Sequence, residues 1–261
     1  WQFLTFTENL FINVDQAKSF SHVWSLCVEE QFYLVAPVVV WLLARRPLGW
    51  KAPAVAAFLV VGGMILRGWI WRHDLAPLQT GGLHSPQFWH LWIEHIYYPT
   101  WTRLDGLIAG AGFAFVAAFH PQLWERLGRR ANLLLAAGLG GVGVSIWLFW
   151  GQADFLPSVI GYPLLSLSMA LLVAAGASRT SLIGRLAVPG AGLLAAISYS
   201  LYLTHKAVIQ LVKHAAAPLI DGRPLLAVLV YVGAILAAGA LLYLLVERPF
   251  LRLRERVLRR P

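Results

Sequence analysis

Long apolar runs separated by short polar links constrain the fold of this chain more than any other feature. Seven such runs occupy about residues 23–43, 53–71, 103–119, 133–150, 156–177, 193–212 and 225–246. An α-helix needs ~20 apolar residues to cross the hydrocarbon core of a bilayer, and an uninterrupted apolar run in lipid must satisfy its backbone hydrogen bonds within one helix. The sequence therefore predicts an all-α, polytopic transmembrane helical bundle of about seven spans, with residues 1–261 as a single membrane domain.

The composition supports a membrane protein whose partner is the lipid bilayer. The chain is 59% hydrophobic and 13% charged, whereas soluble domains carry about 25% charged residues. Its formal net charge of +9 comes from basic residues in the short links, without a patch that alternates with aromatic residues, so we expect no nucleic-acid partner. The single cysteine, Cys27, excludes an intramolecular disulfide and is predicted to pack inside the protein.

The basic links predict an orientation. Arginine and lysine are concentrated after the first, third and fifth runs and in the tail at 247–261. Positively charged links stay on the cytoplasmic side, so the odd-numbered runs go from outside to inside and the C-terminus is cytoplasmic. This arrangement brings several polar residues of different runs toward the outer half of the membrane, namely His22, Glu29, Glu30, Arg103, Asp105 and His205.

Three segments outside the runs are predicted to lie at the membrane surface. Residues 1–22 mix polar and aromatic side chains and indicate an interfacial segment. Residues 72–102 form a long outer loop rich in histidine and aromatic residues, which favours interfacial anchoring or contact with a sugar or lipid. Its histidine spacings repeat no ligand pattern, so we expect no metal site. The tail at 247–261 is basic and amphipathic. At the other end, the abrupt start at Trp1 predicts an N-terminally truncated chain.

The stretch HVWSLCVEEQFYL at 22–34 places two adjacent carboxylates in an apolar run. An ionised acid in hydrocarbon costs at least ~3 kcal/mol unless it faces a cavity or protein interior. On a helix, His22, Ser25 and Glu29 lie along one stripe, and Glu30 and Tyr33 along the next. One interpretation is that at most one acid shares a cavity with His22 and His205. The alternative is that both acids lie at the membrane surface near a helix start.

Polar residues in two later runs leave similar alternatives. Arg103 and Asp105 begin the third run and could bind a substrate or form a helix-end ion pair. In the sixth run, Tyr199, Tyr202 and His205 follow one another at three-residue spacing, which places them on one helix face that is predicted to look inward. A histidine there could equally be a structural group.

Four stretches together resemble the acyltransferase 3 family of integral membrane O-acyltransferases. They are the signature at 22–34, RLDGL at 103–107, ISYSLYLTH at 197–205 and ERPF at 247–250, in the order of the family. The sequence departs from the family pattern at Cys27, where a small residue is usual, and at Thr204-His205-Lys206, where the family usually has tryptophan beside the histidine. The resemblance implies about ten spans in the full protein. It also implies a first helix with an arginine and a catalytic histidine, which no position here matches, so we expect this chain alone to be inactive.

The resemblance further implies an acyltransferase that transfers groups other than amino-acyl groups, without a bound cofactor. It would move an acyl group, commonly acetyl, from cytoplasmic acyl-CoA to a hydroxyl of a glycan or lipid-linked sugar such as lipopolysaccharide, peptidoglycan or exopolysaccharide, in the bacterial inner membrane. The residues predicted to act are His22, Glu29, Glu30 and His205 in catalysis and Ser25, Tyr33, Arg103, Asp105, Tyr199 and Tyr202 in substrate binding. The rival interpretation is a proton-coupled transporter or acyl-group translocator, in which the same acids and histidines would relay protons.

Overall fold

The computed structural model describes residues 1–12, 14, 21–44, 50–80 and 83–258, and helices dominate it. The α-helices are α1 (Trp24–Ala44), α2 (Lys51–Ile70), α3 (Pro86–Trp92), α4 (Asp105–Phe119), α5 (Pro121–Arg129), α6 (Ala131–Leu148), α7 (Tyr162–Ala177), α8 (Ala191–Ala215), α9 (Ala217–Ile220), α10 (Pro224–Leu242) and α11 (Arg248–Leu258). Within the described ranges the strands are limited to β1 (Gln79–Thr80) and β2 (Leu83–His84), which pair antiparallel. The all-α prediction is confirmed.

Short helical turns of other types extend several of these helices. Four π-helical turns occupy Trp71–Leu75, Ile93–Tyr97, Pro157–Gly161 and Tyr243–Glu247, and 3₁₀ turns occupy Glu8–Leu10, Ser21–Val23, Ala76–Leu78, Thr100–Thr102, Phe149–Gly151 and Ile183–Arg185. Each π turn continues an α-helix by adding one residue to the turn, which rotates the side chains that follow. The turn at Tyr243–Glu247 therefore sets the direction in which Glu247 points from the α10–α11 helix.

Among the described residues, five helices are long and apolar enough to cross a membrane: Trp24–Leu42, Lys51–Leu78, Ala131–Gly151, Pro157–Ala177 and Pro224–Leu258. A sixth span results if α4 and α5 are taken together, although the chain bends by 111° between them. The bend falls at Pro121, which has no backbone N–H to continue the helix. Helix α8 has 25 residues and is the most polar of the helices of this length class, so the count of seven spans stays a prediction. The basic link predicted at Arg45 and Arg46 lies outside the described residues.

The described residues form two units. The first comprises residues 1–16 and 24–187 and the second comprises 17–23 and 188–261, each without its undescribed positions. In the first unit α7 packs against α4 and α6. A Cβ atom at Gly138 would lie 2.7 Å from Leu172, whereas a Cβ atom at Gly110 would meet no described residue outside its own helix within 4 Å. The close helix contact that small residues permit therefore lies at Gly138 of α6, while a Cβ atom at Gly106 of α4 would lie at ordinary contact distance from Ser166.

The segment predicted as a long outer loop contains folded structure of its own. Leu75, Phe88 and Ile96 are fully buried in one cluster with Trp92 and Tyr162. The indole N–H of Trp92 donates to the Ser158 hydroxyl at 3.0 Å. Phe88 and Trp92 of this connection thus lie in a small core, whereas Trp101 is 53% exposed.

The N-terminal segment is tied to α1 by polar contacts. Glu8 and Asn9 are buried, and the Gln31 side-chain amide donates to the Phe6 carbonyl at 2.6 Å and to Asn9 Oδ1 at 3.0 Å. Cys27 is fully buried, as its predicted packing role requires. The glutamine of the signature stretch therefore positions the segment that precedes it.

In the second unit α8 packs along α10. A side chain at Gly239 would collide with Leu201, so only glycine permits this approach. The Ser200 hydroxyl, on a buried residue, donates to Glu247 Oε2 at 2.7 Å. This hydrogen bond joins α8 to the π turn between α10 and α11.

Candidate functional site

Two histidines and a tyrosine form a polar cluster in the second unit. The rings of His22 and His205 lie with their centroids 4.9 Å apart and nearly perpendicular. The Tyr202 ring lies 5.5 Å from His22 and 5.7 Å from His205, and its hydroxyl donates to the backbone carbonyl of His22. The structure therefore brings together three of the predicted site residues, although 180 positions separate His22 from Tyr202.

Local structure explains how each member is held. His22 lies in the 3₁₀ turn Ser21–Val23 that leads into α1, and its Nε2 is 3.3 Å from the Leu203 carbonyl. Tyr202 and His205 are three residues apart on α8, which places them on one face as the spacing predicts. His22 is only 6% exposed, so this face of α8 is covered at the cluster.

A hydrogen bond indicates which nitrogen of the His205 imidazole carries its proton. His205 Nδ1 lies 2.7 Å from the Tyr202 carbonyl, and a carbonyl oxygen can only accept, so Nδ1 is the protonated nitrogen of neutral His205. The free lone pair of His205 is then on Nε2.

Burial lowers the pKa of His22, and the neighbouring His205 and Lys206 lower it further because a second positive charge is unfavourable there. His22 is accordingly a neutral imidazole at pH 7.

The other residues predicted for this site occupy different environments. Glu29 and Tyr33 are exposed on α1, and Glu30 and Ser25 are partly buried on the same helix. Tyr199 is 46% exposed on α8. The participation of Glu29 with His22 therefore stays a prediction, as do the roles of Glu30, Ser25, Tyr33 and Tyr199.

A buried ion pair forms a second polar centre in the first unit. Arg67 of α2 is fully buried, and its Nη1 lies 2.9 Å from Asp105 Oδ2 at the start of α4. Arg67 also donates to the carbonyls of Thr102 and Val159. The alternative of an ion pair between Arg103 and Asp105 is wrong, because the partner of Asp105 is Arg67. Helix α2 passes the start of α4 and directs the Arg67 guanidinium toward the Asp105 carboxylate.

Arg103 instead lies among aromatic rings. Its guanidinium carbon is 4.0 Å from the ring centroid of Tyr162, 5.1 Å from that of Tyr97 and 5.5 Å from that of Trp24. Cations are attracted to aromatic faces at such distances. Arg103 Nη1 is buried and has no hydrogen-bond partner among the described residues. The cage therefore holds the guanidinium in place and leaves one N–H available to another group.

Sequence reasoning missed Arg67 and the members of this cage. Arg67 is the single charged residue in the apolar run at 53–71. A charged residue inside a membrane helix is usually paired and functional, so the sequence did contain a signal for Arg67. Trp24, Tyr97 and Tyr162 belong to distant parts of the chain, and no local spacing predicts that they meet. No group of three metal-binding side chains occurs within the described ranges.

Comparisons with known proteins identify relatives of this chain. The O-acetyltransferase OatA of Staphylococcus aureus strain NCTC 8325 / PS 47 is 27% identical over 211 residues, which cover 77% of this chain and 32% of the relative. The peptidoglycan O-acetyltransferase OatA of Listeria monocytogenes serovar 1/2a is 27% identical over 122 residues, covering 46% of this chain and 17% of the relative. The chain thus spans about a third of the length of its Staphylococcus relative. No solved structure is significantly similar to it.

The family comparison covers nearly the whole chain. An acyltransferase domain family matches residues 3–244, a range that includes the His22 and His205 cluster, the Arg67–Asp105 pair and the Arg103 cage. The match also agrees with the helical fold and the apolar helices described above. This protein belongs to the acyltransferase 3 family.

Proposed function

We propose that the protein is a membrane O-acyltransferase that moves an acetyl group from acetyl-CoA to a hydroxyl of a cell-wall glycan such as peptidoglycan. Family membership supports the reaction class, and the names of the relatives support an O-acetyl group and a peptidoglycan acceptor. The observation that carries the proposal is the pairing of His22 with His205, whose rings are 4.9 Å apart.

In the proposed reaction His205 is the general base. Its Nδ1–H is anchored on the Tyr202 carbonyl at 2.7 Å, which aims the lone pair of Nε2 away from its own helix. Nε2 takes the proton of the acceptor hydroxyl while the hydroxyl oxygen forms a bond to the acyl carbon. The carbon–sulfur bond of the thioester then breaks, and the departing CoA sulfur takes up the proton.

Tyr202 and His22 position this base. The Tyr202 hydroxyl fixes the backbone of His22, and His22 covers one side of the His205 ring. Because the pKa of His22 is lowered, it adds no positive charge next to the base at neutral pH. A neutral neighbour leaves His205 able to accept a proton, whereas a charged one would oppose it.

Arg103 is proposed to bind a substrate oxygen in the first unit. Its caged guanidinium has a buried N–H without a partner in the described part of the chain, and a buried polar group gains when it is given a hydrogen bond. A carbonyl or phosphate oxygen fits this donor, since both accept charge-assisted hydrogen bonds.

The proposal also includes the setting of the enzyme. The distribution of basic links supports a cytoplasmic C-terminus, and the family supports an inner-membrane location and cytoplasmic acyl-CoA.

Transfer and transport can be separated in one experiment. Membranes containing the protein expressed from its complete reading frame are given acetyl-CoA labelled in the acetyl group, together with a peptidoglycan acceptor. We expect ester-linked label on the glycan that mild alkali releases. Label that crosses sealed vesicles without becoming esterified would favour the transporter and contradict the proposal.

A further inference from the structure

A pocket of about 390 Å³ lies in the first unit where α5, α6 and α7 meet. Its lining includes the apolar residues Leu127, Leu134 and Ala174 together with Trp124 and Arg129. The volume is within the range of small-molecule sites. Neither the histidine cluster nor the Arg103 cage contributes to its lining.

The surroundings of the pocket carry a strong positive charge. The segments 121–130 and 178–187 contain Arg126, Arg129, Arg130, Arg179 and Arg185 and one acid, Glu125, which leaves an excess of four positive charges. Arg129 and Glu125 line the pocket itself. Such an excess around a concave site attracts phosphorylated ligands.

Hydrogen bonds preorganise the loop after α7, which contributes Ser178 and Thr180 to the lining of the pocket. The hydroxyls of Ser178 and Thr180 both donate to the Gly128 carbonyl at the end of α5. The backbone N–H of Leu182 donates to Asn132 Oδ1 at 2.9 Å, which ties the same loop to α6. The loop after α7 is therefore fixed to both neighbouring helices, and a ligand would not have to order it.

We propose that this pocket binds the phosphorylated nucleotide part of acyl-CoA, adenosine 3′,5′-bisphosphate. The base stacks on Trp124, the arginines bind the phosphates, and the Glu125 carboxylate accepts a hydrogen bond from the ribose or from the adenine amino group. This identity of the ligand rests on the proposed function, and the cytoplasmic side of α5 rests on the positive-inside orientation. An anionic lipid headgroup would use the same arginines but would have no base to stack on the indole.

Binding of adenosine 3′,5′-bisphosphate to the protein, purified from its complete reading frame in phosphatidylcholine nanodiscs, tests the pocket by calorimetry. We expect Arg129→Glu and Trp124→Ala each to weaken binding about tenfold or more, because a charge-assisted contact and base stacking each contribute at least that much. Adenosine without phosphates should bind far more weakly. The control Arg256→Glu changes an exposed arginine of α11 and should leave the dissociation constant within about twofold of the wild type, since it lies outside the pocket.

Three results of the binding measurement would overturn the inference. They are absence of nucleotide binding, an equal loss in the Arg256 variant, and binding that is indifferent to Trp124 but is lost in nanodiscs containing phosphatidylglycerol, which would identify a lipid site. His205→Gln separates the two proposals, because it should bind the nucleotide normally and fail in transfer. If the wild type binds the nucleotide but transfers no acetyl group, the proposed function fails and the pocket stands. If transfer proceeds with an unchanged KM for acetyl-CoA in both pocket variants, the pocket assignment is wrong.

Discussion

Replacing Arg67 by methionine should destabilise the first unit by about 3 kcal/mol or more. The substitution preserves an unbranched side chain but leaves Asp105, 2.9 Å from the lost guanidinium, as a buried acid without its partner. Interhelical hydrogen bonds within membranes average only ~0.6 kcal/mol each, so the three contacts of Arg67 would sum to about 2 kcal/mol. Breaking a buried pair by removing one partner costs ~3–5 kcal/mol, and the unpaired carboxylate should therefore decide the outcome.

The free energy of unfolding can be measured by SDS titration in mixed micelles for four proteins. They are the wild type, Arg67→Met, Asp105→Leu and the double variant. Because the double variant removes both charges, it should be less destabilised than the sum of the single variants by about 2 kcal/mol or more. Arg72→Met is the matched control, since Arg72 is exposed and contacts the Phe155 ring. A loss below about 1 kcal/mol for Arg67→Met, or additive single variants, would refute the reasoning.

The remaining predictions concern packing, pH and the C-terminal helix. Gly138→Val should reduce the melting temperature because its side chain would collide with α7. Gly140→Val is the control and should not, because a Cβ atom at Gly140 would meet no described residue outside its own helix within 4 Å. Equal melting temperatures of the two variants would contradict the packing. The pKa of His22 is lowered by burial and by His205 and Lys206, so the unfolded state binds more protons than the folded state as the pH falls below about 6.5. The melting temperature should therefore fall between pH 7.5 and pH 5.5, and it should fall less in His22→Gln. Glu247→Ala should unfold at lower denaturant than the wild type because it leaves the hydroxyl of Ser200 without its acceptor, and Glu255→Ala is the exposed control.

Periodic features of the chain were predictable, whereas most contacts between distant segments, other than that of His22 with His205, were not. The apolar runs gave the helices because lipid permits few other backbone structures, and the three-residue spacing of Tyr202 and His205 gave their common face. The bend after α4 had a signal in Pro121 that the sequence interpretation did not use. The partner of Asp105 depends on how α2 crosses α4, which no single helix encodes.

The connection at 72–102 shows the same limit. Its many aromatic residues indicated an interfacial surface, but Phe88 and Ile96 are fully buried. The composition shows only that apolar side chains are present. Whether they pack against one another or face lipid depends on the tertiary structure. The folded turns of this connection supply Tyr97 to the Arg103 cage.

His205 is the residue on which the proposed acetyl transfer depends most directly. The rate of transfer from acetyl-CoA to peptidoglycan should be measured in membranes with equal amounts of wild type, His205→Gln and His214→Gln, all expressed from the complete reading frame. His214 is the matched control because it lies on the same helix and its Nδ1 is bonded in the same way to the Gln210 carbonyl at 2.7 Å, outside the cluster. We predict that His205→Gln lowers kcat by about 100-fold or more while His214→Gln keeps the wild-type rate. Equal rates in the two variants would contradict the central claim.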